Sequence, residues 1–196
     1  DEKTVRILGF NHDPLTYSDS YGEATATGMA GISFEYVDYI TSIYMNHQDN
    51  NSGGWNETAL DSILNGNVYN SLSIKGYIKV VNKQYLPNYN SAIESTCPDR
   101  LWLLSCGEIW DNGYNGGNTR GYSMSTEGSQ YKYYKMNLGS TAYNSSTTVT
   151  QKDWSMWWLR SPRYDKWYEF CYVDKDGKCE SDGALCNFGV TPGFSI

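Results

Sequence analysis

The 196-residue sequence has little charge and no cluster of basic residues. Only 19% of its residues are charged and the net charge is −7, whereas an average domain has roughly 25% charged residues. Binding to nucleic acid or to anionic lipid headgroups requires several lysines or arginines that neutralise phosphate. We therefore expect no nucleic-acid partner and no attachment to an anionic membrane surface.

Long apolar runs are also missing from the sequence. No stretch approaches the ~20 consecutive apolar residues that cross a bilayer, so we expect no direct membrane insertion. The hydrophobic content is nevertheless 39% and includes 18 Tyr, 7 Trp and 5 Phe, which is enough to form a core. The length suits one domain of about 150–200 residues. Because no repeat or linker divides the chain, we predict a single domain over residues 1–196.

The cysteines lack the number and spacing of a zinc ribbon or of a complete set of disulfides. No two of them form a Cys-x-x-Cys pair, and an odd count rules out full intramolecular pairing. Two interpretations remain open, namely buried free thiols, or one or two disulfides within the cluster from Cys171 to Cys186. The five cysteines are Cys97, Cys106, Cys171, Cys179 and Cys186.

Residues typical of catalytic and metal centres are few. His12 and His47 are the only histidines, and neither has a second ligand at metal-binding spacing. Asp174-x-Asp176-Gly177 begins like a calcium loop, but the glutamate of that motif's last position is missing. Asp-Gly between two strand-like runs is instead typical of a hairpin turn. The sequence therefore predicts no catalytic residue, no metal site and no cofactor.

The pattern of apolar residues predicts an α+β fold. A helix is expected from Trp55 to Leu64, where apolar residues recur at helical spacing, and Gly66 is expected to end it. The run 101–105 is apolar on both faces, which predicts a central buried strand. A Gly/Asn-rich stretch at 111–128 is predicted to be a long functional or mobile loop. Further strands are predicted at 5–10, 32–36, 77–81, 157–160, 169–173 and 190–194.

The C-terminal part of the chain contains two segments typical of a structural framework. Residues 157–162 (WWLRSP) and 189–194 (GVTPGF) combine bulky apolar side chains with proline and glycine. Because side chains alternate along a strand, Trp157 and Trp158 should face opposite sides, with Arg160 on the side of Trp158. We expect one side to be core and the other half-buried, and Arg160 to stack on Trp158 or to bond backbone carbonyls.

Residues 163–188, between these segments, are predicted to form a ligand-binding surface. Tyr and Trp provide a large contact area with a polar tip, and the aromatic residues that follow Pro162 cannot all be core. The alternative, a packed aromatic corner with solvated charges, stays open. The predicted ligand-binding residues are Arg163, Tyr164, Asp165, Lys166, Trp167, Tyr168, Tyr172, Asp174, Asp176, Asp182, Asn187 and Phe188.

Several blocks of the sequence together resemble one family. That family is a bacterial and phage domain of unknown function marked by a WWLRSP motif and frequent in gut Firmicutes and their phages. The resemblance covers nearly the whole chain. The blocks are ILGFNHD at 7–13, MAGISF at 29–34, GGW and the following helix at 53–65, DRLWLLS at 99–105 with Glu108, WWLRSP at 157–162, and the residues at 189–194.

Some members of this family look like the variable proteins of diversity-generating retroelements, which resemble C-type lectins and display variable side chains on a rigid face. Lys175, Lys178 and Glu180 depart from the pattern, because adenine-directed mutation of an Asn codon does not readily give Lys or Glu. By this resemblance, the varying positions are Tyr172, Asp174, Asp176, Asp182 and Asn187.

The resemblance implies a C-type-lectin-like α+β domain, one or two helices packed on a small antiparallel sheet with long loops. It implies an extracellular recognition domain, on a bacterial surface or a phage virion, that binds a protein or glycan ligand on a cell surface. Two alternatives remain. One is a protein-modifying enzyme of the formylglycine-generating type, in which Cys171, Cys179 and Cys186 would serve as copper ligands. The other is a structural tail-fibre or surface module without a ligand.

Overall fold

The computed structural model of the chain describes residues 2–17, 27–91, 93–110, 127–138, 149 and 155–196. Within these residues the fold is mixed α+β, with short helices and three sheets. The predicted loop at 111–128 lies outside the described residues except for its last two positions. Among the described residues, no helix has the length and apolar character needed to cross a bilayer.

Ten strands and four short α-helices form the described part of the chain. The strands are β1 (Val5–Phe10), β2 (Ile32–Tyr36), β3 (Thr41–Ile43), β4 (Val81–Tyr85), β5 (Ser95–Asp99), β6 (Trp157–Pro162), β7 (Glu169–Val173), β8 (Cys179–Gly183), β9 (Phe188–Val190) and β10 (Gly193–Ser195). The helices are α1 (Ala59–Ile63), α2 (Tyr69–Ser71), α3 (Cys106–Ile109) and α4 (Lys132–Leu138).

The strands pair into one large sheet and two small ones. The five-stranded sheet has the order β3-β9-β6-β7-β8, in which β6 and β9 are parallel and the other neighbours are antiparallel. The three-stranded sheet has the order β1-β2-β10, and the third sheet is the β4-β5 pair. The WWLRSP segment therefore forms an interior strand, β6, in the middle of the largest sheet.

Strand β6 separates two hydrophobic clusters, as the alternation of its side chains predicts. Trp158 packs in one cluster with Trp55, Trp102 and Phe188, and Trp157 packs in the other with Leu159 and buried cysteines. Both tryptophans are at most 1% exposed, so both faces of β6 are core. The expectation that one face is half-buried is therefore wrong. Arg160 bonds backbone carbonyls, as predicted.

The predicted helix at 55–64 is present but is irregular and longer. It begins with a 3₁₀ turn, Trp55–Glu57, and Thr58 then caps α1, since its side chain accepts a hydrogen bond from the Asp61 N–H at 3.1 Å. Gly66 does not end the helix, because it lies inside a π-helical segment, Leu64–Val68, that continues into α2. The Asn65 side chain holds this turn by bonding the backbone of Leu101.

The prediction of a central strand at 101–105 is wrong, although the segment is buried as expected. Trp102 makes only an isolated bridge to Gly193. The neighbouring carbonyls of Leu103 and Leu104 accept hydrogen bonds from the side chain and the backbone of Arg160. Ser105 then starts α3 through a capping box with Glu108. The segment is therefore an extended core chain whose polar groups are satisfied by other elements.

Two further strand predictions are shifted along the chain. Residues 75–77 form a 3₁₀ turn, and the strand expected at 77–81 starts at Val81 instead. The strand expected at 190–194 is interrupted by Thr191 and Pro192, which separate β9 from β10. The hairpin turn is confirmed, since Gly177 has a φ of 78° between β7 and β8.

Candidate ligand-binding site

The predicted binding segment leaves the large sheet between β6 and β7. The backbone N–H of Arg163 donates to the Glu169 carbonyl at 2.9 Å, which closes residues 163–169 into a loop. Asp165 has a φ of 67° in this loop. The side chain of Trp167 is 59% exposed, and its ring meets the Tyr168 ring edge-on with 5.2 Å between centroids. Trp167 is thus exposed, as an anchor residue should be.

Trp167 shares a groove with two other loops, at 50–52 and 88–90. This groove, called the Trp167 groove below, has a volume of about 380 Å³. Tyr89 supplies a second aromatic side chain, which is 36% exposed. None of the described lining residues is charged; they are Asn50, Asn51, Ser52, Asn88, Tyr89, Asn90 and Trp167.

Asn51 joins the three loops of the Trp167 groove and is itself only 1% exposed. Its side-chain N–H groups donate to the carbonyls of Lys166 at 2.7 Å and Glu169 at 3.0 Å. Its side-chain oxygen accepts from the backbone N–H of Tyr89 at 3.2 Å. Its own N–H donates to the Trp167 carbonyl at 2.8 Å. A single buried amide therefore fixes the position of both aromatic walls.

Two glycines bring the 50–52 loop against the rest of the groove. Gly53 and Gly54 have φ values of 82° and 60°, in the left-handed region that favours glycine. A Cβ atom at Gly54 would collide with the carbonyl oxygen of Leu86. The close approach at Gly54 therefore sets Asn51 within reach of the 88–90 loop.

Sequence reasoning found one wall of the Trp167 groove and missed the others. The sequence predicts Trp167 as a ligand-binding residue, whereas it does not single out Asn51 or the 88–90 loop. The glycine pair after Ser52 marks a turn, but no local pattern indicates which loop it faces. Only the tertiary contacts of Asn51 bring these segments together.

The structure divides the other predicted site residues between the two ends of β7. Asp174 and Asp176 lie in the hairpin turn, roughly 14 Å from the groove end, because a strand rises about 3.4 Å per residue. Asn187 is exposed just before β9. At the groove end of β7 or beside it lie Arg163, Tyr164, Asp165, Lys166, Tyr168 and Asp182.

Several predicted residues serve the framework instead. Phe188 is 8% exposed and packs on Trp158 and Tyr172 with 4.5 and 4.4 Å between ring centroids, so its predicted place on an exposed surface is wrong. Burial and then neighbouring acidic residues raise the pKa of Tyr172 to about 12. The Asp174 carboxylate accepts two backbone N–H groups within its own turn. The guanidinium of Arg163 donates to the Ser181 hydroxyl at 2.9 Å.

Comparison with known proteins gives one decisive match. The family described as a domain of unknown function, DUF6273, matches residues 33–196. The chain belongs to the DUF6273 family. The matched range runs from β2 to the last residue and includes every element of the Trp167 groove. No curated protein and no solved structure matches the chain.

A buried charge network lies away from the groove of this DUF6273 domain. The Lys83 ammonium contacts Asp13 at 2.7 Å, Glu108 at 2.5 Å and the Tyr131 hydroxyl at 3.0 Å. Glu108 also pairs with Arg160 at 2.6 Å. Each of the four charged side chains is at most 3% exposed. Sequence reasoning missed this network, although Lys83 shares the inward face of β4 with Val81 and Tyr85.

The electrostatics of this network are those of a structural ion-pair cluster. Burial raises the pKa of Asp13, but the charge and hydrogen bond of Lys83 outweigh burial and hold that pKa at about 2. Burial lowers the pKa of His12. The Asp13 oxygens accept hydrogen bonds from Lys83, Ser33 and Tyr131. Because Asp13 is occupied in this way, it does not orient His12 as the acid of a Ser-His-Asp triad would.

Three buried thiols of the DUF6273 domain converge behind β6. The sulfur atoms of Cys106, Cys171 and Cys179 all lie within 4.8 Å of one another, and those of Cys106 and Cys179 are 3.6 Å apart. All five cysteines are free thiols, and the interpretation as buried free thiols is confirmed for all of them except Cys186, which is half-buried. Burial raises the pKa of Cys106, but hydrogen bonds from the other two thiols outweigh it and lower that pKa. Three cysteine sulfur atoms at these distances are ligands of the kind that a soft metal ion prefers.

A pair of buried carboxyl groups lies between α1 and β5. Asp61 is 8% exposed and Asp99 is 1% exposed. Burial, and then the charge of Asp99, raises the pKa of Asp61 to about 9. The indole N–H of Trp55 donates to Asp99 at 2.8 Å, and the Asn65 amide donates to both carboxyl groups. The two acids therefore share a proton at neutral pH.

Proposed function

We propose that this DUF6273 domain is a non-enzymatic recognition module that binds a protein or glycan ligand through the surface around Trp167. A 59% exposed tryptophan whose loop is held by a buried amide is the observation that carries the proposal. Large aromatic side chains on rigid supports are typical anchors of binding sites. We also propose that the domain acts outside the cell, on a bacterial surface or a phage virion.

The proposal extends to a C-type-lectin-like arrangement of the kind found in variable proteins of diversity-generating retroelements. An interior WWLRSP strand with core on both faces, and loops at one end of the sheet, supports such a division into framework and display surface. In this proposal the displayed residues are those near Trp167 together with Asp182 and Asn187. Phe188 is excluded because it is buried.

An enzyme of the formylglycine-generating type is the second candidate, and the thiols are the observation that bears on it. Cys171 and Cys179 do lie together, but their third neighbour is Cys106, and all three are at most 1% exposed. Cys186 is half-buried and is not part of this cluster. Thiols enclosed in a hydrophobic cluster cannot meet a peptide substrate, so recognition is the better-supported function.

The recognition function is tested by truncating Trp167. We expect Trp167→Ala to abolish binding of the domain to a glycan array and to intact bacterial cells, with a nearly unchanged melting temperature. Phe10→Ala is the matched control, since Phe10 is also 59% exposed but lies on β1. If Trp167→Ala lowers stability on the scale of a core aromatic truncation, about 3–5 kcal/mol, Trp167 is a core residue. If both variants bind as the parent does, the proposal fails.

A further inference from the structure

The Trp167 groove combines exposed aromatic rings with side-chain amides, and no charged residue lines it in the part of the chain that the structure describes. We propose that this groove binds a neutral carbohydrate. The inference rests on the recognition function proposed above and names the ligand class of that same surface. Four features of the groove support this ligand class, namely the aromatic wall, the amide wall, the absence of charge and the rigidity of the loops.

The aromatic wall fits the apolar face of a sugar ring. Trp167 presents a flat ring, and the face of an aromatic ring carries negative electrostatic potential. The C–H groups on one face of a pyranose carry partial positive charge, so they stack on such a ring with both dispersion and electrostatic attraction. Tyr89 lies on the other side of the groove and adds a hydroxyl that both donates and accepts.

The amide wall fits the hydroxyl groups of the same ring. A sugar hydroxyl both donates and accepts, and an asparagine amide offers two donor hydrogens and an acceptor oxygen in a fixed plane. Asn90 is exposed, and its side chain makes no hydrogen bond within the described residues. The Asn88 side-chain oxygen already accepts from the Asn90 N–H at 2.9 Å, which restricts the orientation of that amide.

The absence of charge distinguishes a neutral sugar from other polar ligands. A phosphate, sulfate or carboxylate entering the groove would lose hydration and find no cation among the described lining residues, which is unfavourable. The net charge of −7 repels anionic ligands further. A cationic ligand would likewise find no carboxylate among the lining residues. A polyhydroxylated neutral molecule is the class whose groups the lining can satisfy completely.

The rigidity and size of the groove suit a ligand of one or two sugar rings. The side chain and the backbone of Asn51 hold the 163–169 and 88–90 loops in place before a ligand binds. The loops therefore lose little conformational entropy on binding. A volume of about 380 Å³ lies at the small end of ligand pockets, which range over roughly 300–1,000 Å³. The groove therefore binds one or two sugar units at the end of a longer glycan or within it.

The test uses the intact domain, a neutral disaccharide and the acidic trisaccharide that carries one additional sialic acid residue. Binding of lactose and of sialyllactose, with N,N′-diacetylchitobiose as a second neutral probe, is measured by isothermal titration and by chemical shifts of the tryptophan indole N–H groups. We expect at least one neutral probe to bind and to shift one exposed indole signal, and sialyllactose to bind no better than lactose. Trp167→Ala should weaken neutral-sugar binding at least about tenfold.

Matched substitutions of one atom separate the groove from the rest of the surface. Asn90→Asp should weaken binding several-fold by replacing donors with a charge, whereas Asn70→Asp, at an exposed position in α2 outside the groove, should leave it unchanged. Preference for sialyllactose, or neutral binding that survives Trp167→Ala, would overturn the inference. Cell binding that requires Trp167 but survives periodate oxidation of the cell-surface sugars would overturn it too, while the recognition function would stand. If the parent domain bound neither the sugars nor the cells, both the carbohydrate inference and the recognition function would be wrong.

Discussion

At the scale of single residues, the most informative side chain is a buried amide and not an exposed aromatic. Asn51 uses its donors and its acceptor on the backbone of two loops that are far apart in the sequence. Because these bonds satisfy buried peptide groups of the 163–169 and 88–90 loops, Asn51 contributes both stability and site geometry. A positioning residue of this kind supports binding without facing the ligand.

Replacing Asn51 with alanine should therefore affect folding and site order together. We expect a loss of about 1–3 kcal/mol in unfolding free energy, because two carbonyls and one N–H lose their partners. Amide hydrogen exchange at Trp167 and Tyr89 should become faster in the folded state. Asn187→Ala is the control and should change stability by less than about 0.5 kcal/mol. Urea unfolding and hydrogen-exchange mass spectrometry measure both effects, and unchanged exchange in the Asn51 variant would refute the positioning role.

The exposure of a single residue can be predicted from the sequence where it depends on the neighbouring residues in the chain. Trp167 follows a proline-terminated framework segment and is surrounded by polar residues, and this composition is enough to predict its exposure. Phe188 has equally polar neighbours on one side, yet it is buried because Trp158 and Tyr172 cover it. The role of Asn51 depends on two distant backbone segments, and nothing in its own neighbourhood in the sequence indicates them.

At the scale of elements, the contact between α1 and β5 depends on a shared proton. Asp61 is on the helix and Asp99 ends the strand, and burial raises the pKa of Asp99 to about 6. Both pKa values lie above those of the unfolded chain, near 3.9. The folded state therefore binds more protons than the unfolded state between these values, and this pair favours folding most at low pH.

The pair predicts a particular dependence of stability on pH. As pH rises from about 4 toward about 9, the raised pKa of Asp61 costs the folded state stability, with a limiting slope of about 1.4 kcal/mol per pH unit. Asp61→Asn keeps the hydrogen bond to Asp99 and removes this titration. The variant should gain stability relative to the parent as pH rises from pH 5 to pH 8. Parallel curves from urea unfolding at these pH values would contradict the shared proton.

Element prediction failed where side chains satisfy the backbone. The segment 101–105 is as apolar as a central strand, but Arg160 bonds two of its carbonyls and no neighbouring strand pairs along it. A run of apolar residues in the sequence predicts that the segment is buried. It does not indicate which groups form hydrogen bonds with the backbone of that segment. By contrast, β1, β2 and β7 were predicted correctly because β-branched and aromatic residues at their positions pair with adjacent strands.

At the scale of the whole molecule, the Lys83 network joins all three sheets. Lys83 lies on β4, Arg160 on β6, and Ser33 and Ser195 on β2 and β10 reach Asp13 through their hydroxyls. Glu108 links Lys83 to Arg160 from α3. A buried network that is fully paired favours one arrangement of the sheets, because any other arrangement leaves a buried charge unpaired.

Removing the central cation should destabilise the whole fold. Lys83→Met keeps the length of the side chain and leaves Asp13 buried without its cation, so we expect a loss of about 3–5 kcal/mol. Lys175→Met, at an exposed position in the hairpin turn, should be nearly neutral. Adding Asp13→Asn to the Lys83 variant should recover part of the loss, since the uncompensated charge is then gone. Equal stability of the two single lysine variants in urea unfolding would rule out this role.

The order of the large sheet has a consequence for crowding. Its outer strand β8 exposes the side chains of Glu180 and Asp182 along an edge whose backbone groups face away from β7. Open strand edges are templates for pairing with another molecule, and acidic residues on such an edge repel an identical neighbour. Copies packed side by side at high local concentration would then resist pairing into a continuous sheet, and each would keep its own Trp167 groove open.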